Sequence, residues 1–187
     1  MAMAPSVDVR GNDRAGVLPG RRNLVVGLGL TGLSCARWLL AQGERVVVTD
    51  SRATPPGLDA LRALGDVPTK LGAFDVAALG DADRVVLSPG VPRSESIVRA
   101  ALERGLDVVG DVELFARVKR APAVAITGTN GKSTVTTLVA AMANAAGRKA
   151  IAGGNLGEPV LDLLSQPVPE LYVLELSSYQ LESTDSL

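Results

Sequence analysis

The 187-residue sequence contains no histidine, so any mechanism confined to it does without imidazole as base or metal ligand. It has one cysteine, Cys35, which cannot form an internal disulfide and fits a reducing cytoplasm. No stretch approaches the roughly 18 consecutive apolar residues that a membrane-spanning helix needs. The opening MAMAPSVDVRGNDRAGVLPG mixes charges with Gly and Pro and lacks the apolar centre of a signal peptide, so residues 1–20 read as a flexible arm. Neither sign of charge dominates. Lys plus Arg number 19 against 20 Asp plus Glu, net −1, and the basic residues are scattered, which excludes a nucleic-acid footprint. Repeats and low-complexity tracts are absent too.

What the sequence has is short apolar strands alternating with helical patterns. LVV (24–26) leads into a helix carrying Leu33, Ala36, Trp38, Leu39 and Leu40, closed by Gly43. RVVV (45–48) runs to Asp50 and the turn SRATPPG; a weak helix near 58–64 and a poor strand near 67–71 follow. RVVLS (84–88), a helix capped by Ser94 and stopped by Gly105, DVV (107–109) and a helix from Asp111 to Lys119 complete a first unit. Val-rich strands without alternation, separated by helices, mark a parallel sheet covered on both faces. Right-handed crossovers gather the strand C-terminal ends on one edge, where ligands bind.

The expected fold is therefore α/β, a Rossmann-like unit over residues 21–120 with a boundary at KRAPA (119–123). AVAIT (123–127), a loop and long helix, KAIAG (149–153), a short helix after Pro159 and LYVLELSS (171–178) then open a second α/β unit, 121–187. Three strands in about 65 residues are few for a domain, which suggests a truncated one.

Two motifs carry chemistry. Gly27-Leu28-Gly29-Leu30-Thr31-Gly32 is a G-x-G-x-x-G between a strand and a helix, where glycines let a pyrophosphate approach the helix N-terminus. Asp50 ends the next strand, near the spacing at which an acid meets a ribose hydroxyl, so the residues alone point to NAD. The second motif is Gly128-Thr129-Asn130-Gly131-Lys132-Ser133-Thr134. The common phosphate loop, G-x-x-x-x-G-K-[ST], would have glycine where Ile126 stands, so this loop is shorter and Gly128 opens the curve. Gly128 and Gly131 free the backbone to wrap phosphate oxygens, Lys132 supplies a compact charge, and Ser133 or Thr134 offers a hydroxyl to Mg²⁺. Glu175, ending an apolar strand of the same sheet, could bind that metal directly or through water, or simply be solvated.

GTNGKST (128–134), Gly153-Gly154-Asn155 and LELSSYQLE (174–182), with GLGLTGLS (27–34), DSRATPPGL (50–58), SPGV (88–91) and GDVELF (110–115), resemble the Mur ligase family from about residue 23 to the last. The resemblance implies that the first unit holds the uridine diphosphate of a substrate, not a dinucleotide. It places Leu30 and Thr31 at the diphosphate and uridine, Asp50, Ser51 and Arg52 at the uridine end, and Gly90 at the diphosphate. Asn155, Ser177 and Gln180 would lie near a muramoyl-alanine arm. Residues Gly128 to Thr134 would bind ATP, with Lys132 and Glu175 catalytic and Ser133 and Glu175 as Mg²⁺ ligands.

The implied activity is an ATP-dependent ligation of D-glutamate to UDP-N-acetylmuramoyl-L-alanine through an acyl phosphate, in peptidoglycan precursor synthesis in the cytoplasm. The family pattern also includes a histidine metal ligand, a carbamylated lysine and a third domain, none of which is among these residues. The expectation is therefore a fragment without turnover of its own. Two rival readings are a nicotinamide-dependent dehydrogenase, which leaves GTNGKST idle, and a nucleotide-binding regulator without turnover.

Overall fold

The computed structural model describes residues 20–187, so the expected arm lies outside the described residues except for Gly20. The first unit runs β1 (Arg22–Val26), α1 (Leu30–Ala41), β2 (Arg45–Asp50), α2 (Leu58–Arg62), β3 (Thr69–Leu71), a 3-10 turn (Val76–Leu79), β4 (Arg84–Leu87), α3 (Ser96–Glu103), β5 (Asp107–Val109) and α4 (Asp111–Val118). Its five strands are parallel in the order β3-β2-β1-β4-β5. From β1 the chain first winds outward to β2 and β3, then returns to the other side for β4 and β5. The loops after β1 and β4 consequently diverge, leaving a crevice at the C-terminal edge of the sheet.

The second unit comprises β6 (Ala123–Ile126), α5 (Lys132–Ala145), β7 (Ala150–Gly154), a 3-10 turn (Asp162–Ser165), β8 (Leu171–Glu175) and α6 (Ser178–Leu181). Its strands are parallel in the order β6-β8-β7. No helix among the described residues is long and apolar enough to cross a membrane.

Local physics shifted five boundaries. Ser94 does not cap α3; the cap position falls on Glu95, which makes no side-chain capping bond. The helix expected after Pro159 is only a 3-10 turn. The weak helix expected over 58–64 stops at Arg62, and the strand near 67–71 shortens to Thr69–Leu71. LYVLELSS does not run as one strand either. It stops at Glu175 because Ser177 starts α6, its hydroxyl accepting from Gln180 N while the Gln180 side chain accepts from Ser177 N.

One apolar cluster spans both units, from Val25, Leu39, Val48 and Phe115 to Leu163, Tyr172 and Leu174, all buried. At its centre Phe115 and Tyr172 meet edge to face, 5.0 Å between ring centroids. A second cluster, including Leu24, Val26, Val85, Ile97 and Ala101, covers the other face of the first sheet. Polar contacts reinforce the junction. Asp162 accepts from Ser34 Oγ at 2.8 Å and from Arg37 at 3.2 Å. Glu113 on α4 accepts from the backbone N–H of Asp185 (2.8 Å) and Ser186 (2.9 Å). The crevice is thus fixed between two units that share a core.

Candidate functional site

The turn after β1 sets the crevice floor. Gly27 has φ +94°, a left-handed conformation suited to glycine. A Cβ on Gly32 would fall 1.9 Å from the Gly27 carbonyl oxygen, so α1 can approach β1 this closely only with glycine there. Gly29 differs: nothing lies within 4 Å of where its Cβ would be. It caps α1 without any side-chain capping bond, leaving the first-turn N–H groups available to an anion.

Asp50 stabilises this turn. Its carboxylate accepts from Leu28 N at 2.7 Å and from Arg52 through the backbone N–H (2.8 Å), Nε (2.8 Å) and Nη2 (2.7 Å). Burial opposes its ionisation, but the bonds from Arg52 and from Leu28 N–H outweigh that and hold the carboxyl at about 2. Both carboxylate oxygens are engaged within the protein, so the ribose-binding task that suggested NAD is not the task this geometry gives Asp50.

Above the turn lies a cavity of about 470 Å³. From the first unit it is lined by Leu30, Thr31, Asp50, Ser51, Arg52 and Gly90, together with Ser88 of the SPGV motif and Phe74, which sequence reasoning did not single out. From the second come Gly154, Asn155, Gly157, Pro159 and Gln180. Residues expected at a sugar nucleotide from two distant parts of the sequence therefore share one cavity. Ser177 is the exception: it is not among the lining residues, and its hydroxyl serves as the cap of α6.

The phosphate loop lies apart from that lining. Between β6 and α5 the backbone curls through Gly128 (φ +151°) and Gly131 (φ +74°), and Gly131 caps α5 with no side-chain bond. Residues 127–131 are exposed, and Lys132 Nζ rests on the Gly128 carbonyl at 2.8 Å. Behind the loop, Glu175 accepts from Ser133 Oγ at 2.6 Å and, through its other oxygen, from Asn155 Nδ2 at 2.8 Å. The bonds from Ser133 and Asn155 lower the Glu175 pKa against burial, with the Lys132 charge assisting, so the carboxylate is ionised at neutral pH. The backbone at Gly154 packs so tightly on β8 that a Cβ would lie 2.4 Å from the Glu175 carbonyl oxygen.

This donor set fits Mg²⁺ bound with a nucleotide. Ser133 and Glu175 offer two hard oxygen donors, and no group of three or more His, Cys, Asp or Glu suited to a metal occurs among the described residues. Mg²⁺ is commonly bound through one or two protein oxygens, with phosphate oxygens and water completing an octahedron.

A residue missed by sequence reasoning is Asp111. It is 2% exposed at the start of α4 and accepts from Gln180 Nε2 at 3.1 Å. The sequence shows Asp111 only as the start of a helix and GDVELF as part of a resemblance, and nothing local to it announces a partner 69 positions away.

Comparison with known proteins bears on both units. Residues 21–110 match the N-terminal domain of MurD-like Mur ligases, and residues 126–187 match the Mur ligase middle domain. UDP-N-acetylmuramoylalanine--D-glutamate ligase of Nitrosococcus oceani is 55% identical over 166 residues, covering 88% of this chain and 37% of the relative. The enzyme of the same name from Methylobacillus flagellatus is 56% identical over 173 residues, 91% of this chain and 38% of the relative. The chain thus spans less than two fifths of the length of these relatives. Among solved structures, a murein peptide ligase from Psychrobacter arcticus aligns with TM-score 0.54 at 24% identity, covering 86% of this chain and 38% of that one. That likeness supports the fold.

Proposed function

The chain belongs to the Mur ligase family, and from that premise we propose that it carries the sugar-nucleotide site and the phosphate loop of an ATP-dependent ligase joining D-glutamate to UDP-N-acetylmuramoyl-L-alanine. The observation that carries this reading is Glu175. One carboxylate oxygen holds Ser133 of the phosphate loop and the other holds Asn155 of the cavity, so two ligand sites meet at one side chain. A dinucleotide dehydrogenase gives that linkage no purpose.

In this reading the diphosphate lies at the N-terminus of α1, beside Leu30, Thr31 and Gly90. Leu30, 66% exposed at the cavity, offers an apolar surface to the uridine. Ser51 and Arg52 face the uridine end, with Asp50 as the clamp that keeps their turn in place. Asn155 and Gln180 receive the muramoyl-alanine arm. At the second site the loop N–H groups from Gly128 to Thr134 surround the ATP phosphates, and Ser133 and Glu175 would hold Mg²⁺. The alanine carboxylate takes the γ-phosphoryl group of ATP, releasing ADP, and the D-glutamate amine then attacks the resulting acyl phosphate, forming the amide and expelling phosphate. Lys132 leaves the Gly128 carbonyl to neutralise charge on the transferring group, which is electrostatic rather than covalent catalysis.

With residues 127–131 open to solvent, nothing among the described residues shields an acyl phosphate from water. The 187-residue chain is accordingly proposed to bind without turning over. Calorimetry with UDP, NADH and Mg-ATP tests the reading. Binding of UDP with NADH ignored is expected; the reverse would sink it, and UDP and ATP binding that remain independent of Glu175 would favour a regulatory fragment.

A further inference from the structure

Gln180 lines the cavity from the second unit, yet the group that orients it belongs to the first. Its Nε2 donates to Asp111 Oδ2 at 3.1 Å, and its Oε1 accepts from Ser177 N at 3.1 Å. Together these choose one orientation of the carboxamide. Flipping it would set Oε1 against a carboxylate and Nε2 against an N–H, so both contacts would turn repulsive. The distance is set by backbone as well. Gly110 N donates to the Ser183 carbonyl at 3.2 Å, clamping the start of α4 to the turn after α6.

The carboxylate is expensive to keep. Asp111 is 2% exposed, and its Oδ1 is buried with no hydrogen-bond partner. A half-satisfied buried carboxylate costs folding free energy that an apolar residue of similar size would not. The apolar cluster around it, with Val112 and Phe115 on the same helix, needs no charge at this point.

We propose that Asp111 is a positioning residue of the cavity, holding the Gln180 carboxamide across the junction in the orientation that receives the acyl-alanine arm of a sugar nucleotide. This rests on the reading of the cavity as a sugar-nucleotide site. Leu30, Thr31 and Gly90 define the diphosphate end on the first unit, while Asn155 and Gln180 lie on the second, so Asp111 governs recognition of the arm and not of the diphosphate. Asp111 touches no ligand itself. Its influence passes through Gln180.

The test compares UDP with UDP-N-acetylmuramoyl-L-alanine on the 187-residue chain by calorimetry, with melting temperatures checked alongside. Asp111→Leu and Gln180→Met should each weaken the arm-bearing ligand about tenfold or more and leave UDP within about twofold. Asp111→Asn keeps an acceptor for Nε2 and should bind both ligands nearly as the wild type does. The double variant Asp111→Leu/Gln180→Met should lose no more than the weaker single, since the two act as one unit. Equal losses for UDP and the armed ligand, or additive losses in the double variant, would overturn the positioning role. Should Asp111→Leu fail to fold, the other singles decide: wild-type affinity in Gln180→Met, or a tenfold loss in Asp111→Asn, also overturns it. A wild-type chain that binds neither ligand would overturn the cavity reading itself, a different failure from UDP and armed-ligand binding that ignore Asp111.

Discussion

Ser133 Oγ lies 2.6 Å from Glu175 Oε2, although 42 positions separate them in the sequence. The contact joins the first turn of α5 to the end of β8, and the opposite oxygen of the same carboxylate holds Asn155. A negative charge with two neutral donors is a resting arrangement that a divalent cation can replace, because the cation competes for the same oxygens.

Glu175→Gln keeps the shape and removes the charge. It should weaken Mg-ATP binding about tenfold or more while changing metal-free ATP by less than threefold. Titration of each form by calorimetry separates the two. Equal weakening of both would make Glu175 a structural residue only.

The glycines of the first loop should divide sharply. Gly32→Ala drives a methyl against the Gly27 carbonyl oxygen, where the ideal separation would be only 1.9 Å. A stability loss of at least about 3 kcal/mol, or failure to fold, is expected. Gly29 has φ −88° and open space, so Gly29→Ala should change stability by less than about 1 kcal/mol. It should nonetheless cost UDP about tenfold in affinity, because the methyl enters the diphosphate's approach. Chemical denaturation paired with UDP titration checks both.

Lys132 makes one exposed contact, to the Gly128 carbonyl. Its net worth to folding is at most about 1 kcal/mol, a shift of a few degrees in melting temperature for a chain of this size. Lys132→Ala should therefore melt like the wild type and lose ATP affinity by about tenfold or more. An unchanged ATP affinity would remove Lys132 from the phosphate site.

Acid titration should expose Asp111. Burial pushes its carboxyl up to about 6, against the hydrogen bond from Gln180. A raised folded value means that the group favours the folded state when protonated. That contribution is complete below the unfolded value near 3.8 and disappears as pH rises through about 6. The stability of Asp111→Asn relative to the wild type should accordingly increase by roughly 2–3 kcal/mol between pH 4 and pH 6.5, then level off. A difference that is flat across that range would mean that Asp111 is ionised throughout. Asp50, held at about 2, acts in the opposite sense: its stabilisation is present at neutral pH and is lost only on strong acidification.

Much of this protein was legible from local pattern. Val-rich strands between amphipathic helices specify a parallel α/β arrangement because period and burial are properties of neighbouring residues. The two glycine motifs were legible for the same reason, since a strand, a tight turn and a helix N-terminus are contiguous, and an anion site follows from that contiguity. Even the glycine spacing carried the shorter form of the phosphate loop, with Ile126 where the usual first glycine would be.

Tertiary structure decided which distant side chains meet. That Asp50 is consumed in clamping Leu28 and that Glu175 bridges Ser133 and Asn155 are matters of approach between separated segments. Asp111 is the clearest case. In the sequence it is an ordinary acid opening a helix, where the dipole favours it. Only the packing of α4 on α6 buries it, raises its pKa and sets it on Gln180, because desolvation and hydrogen-bond partners depend on what surrounds a group in space and not along the chain.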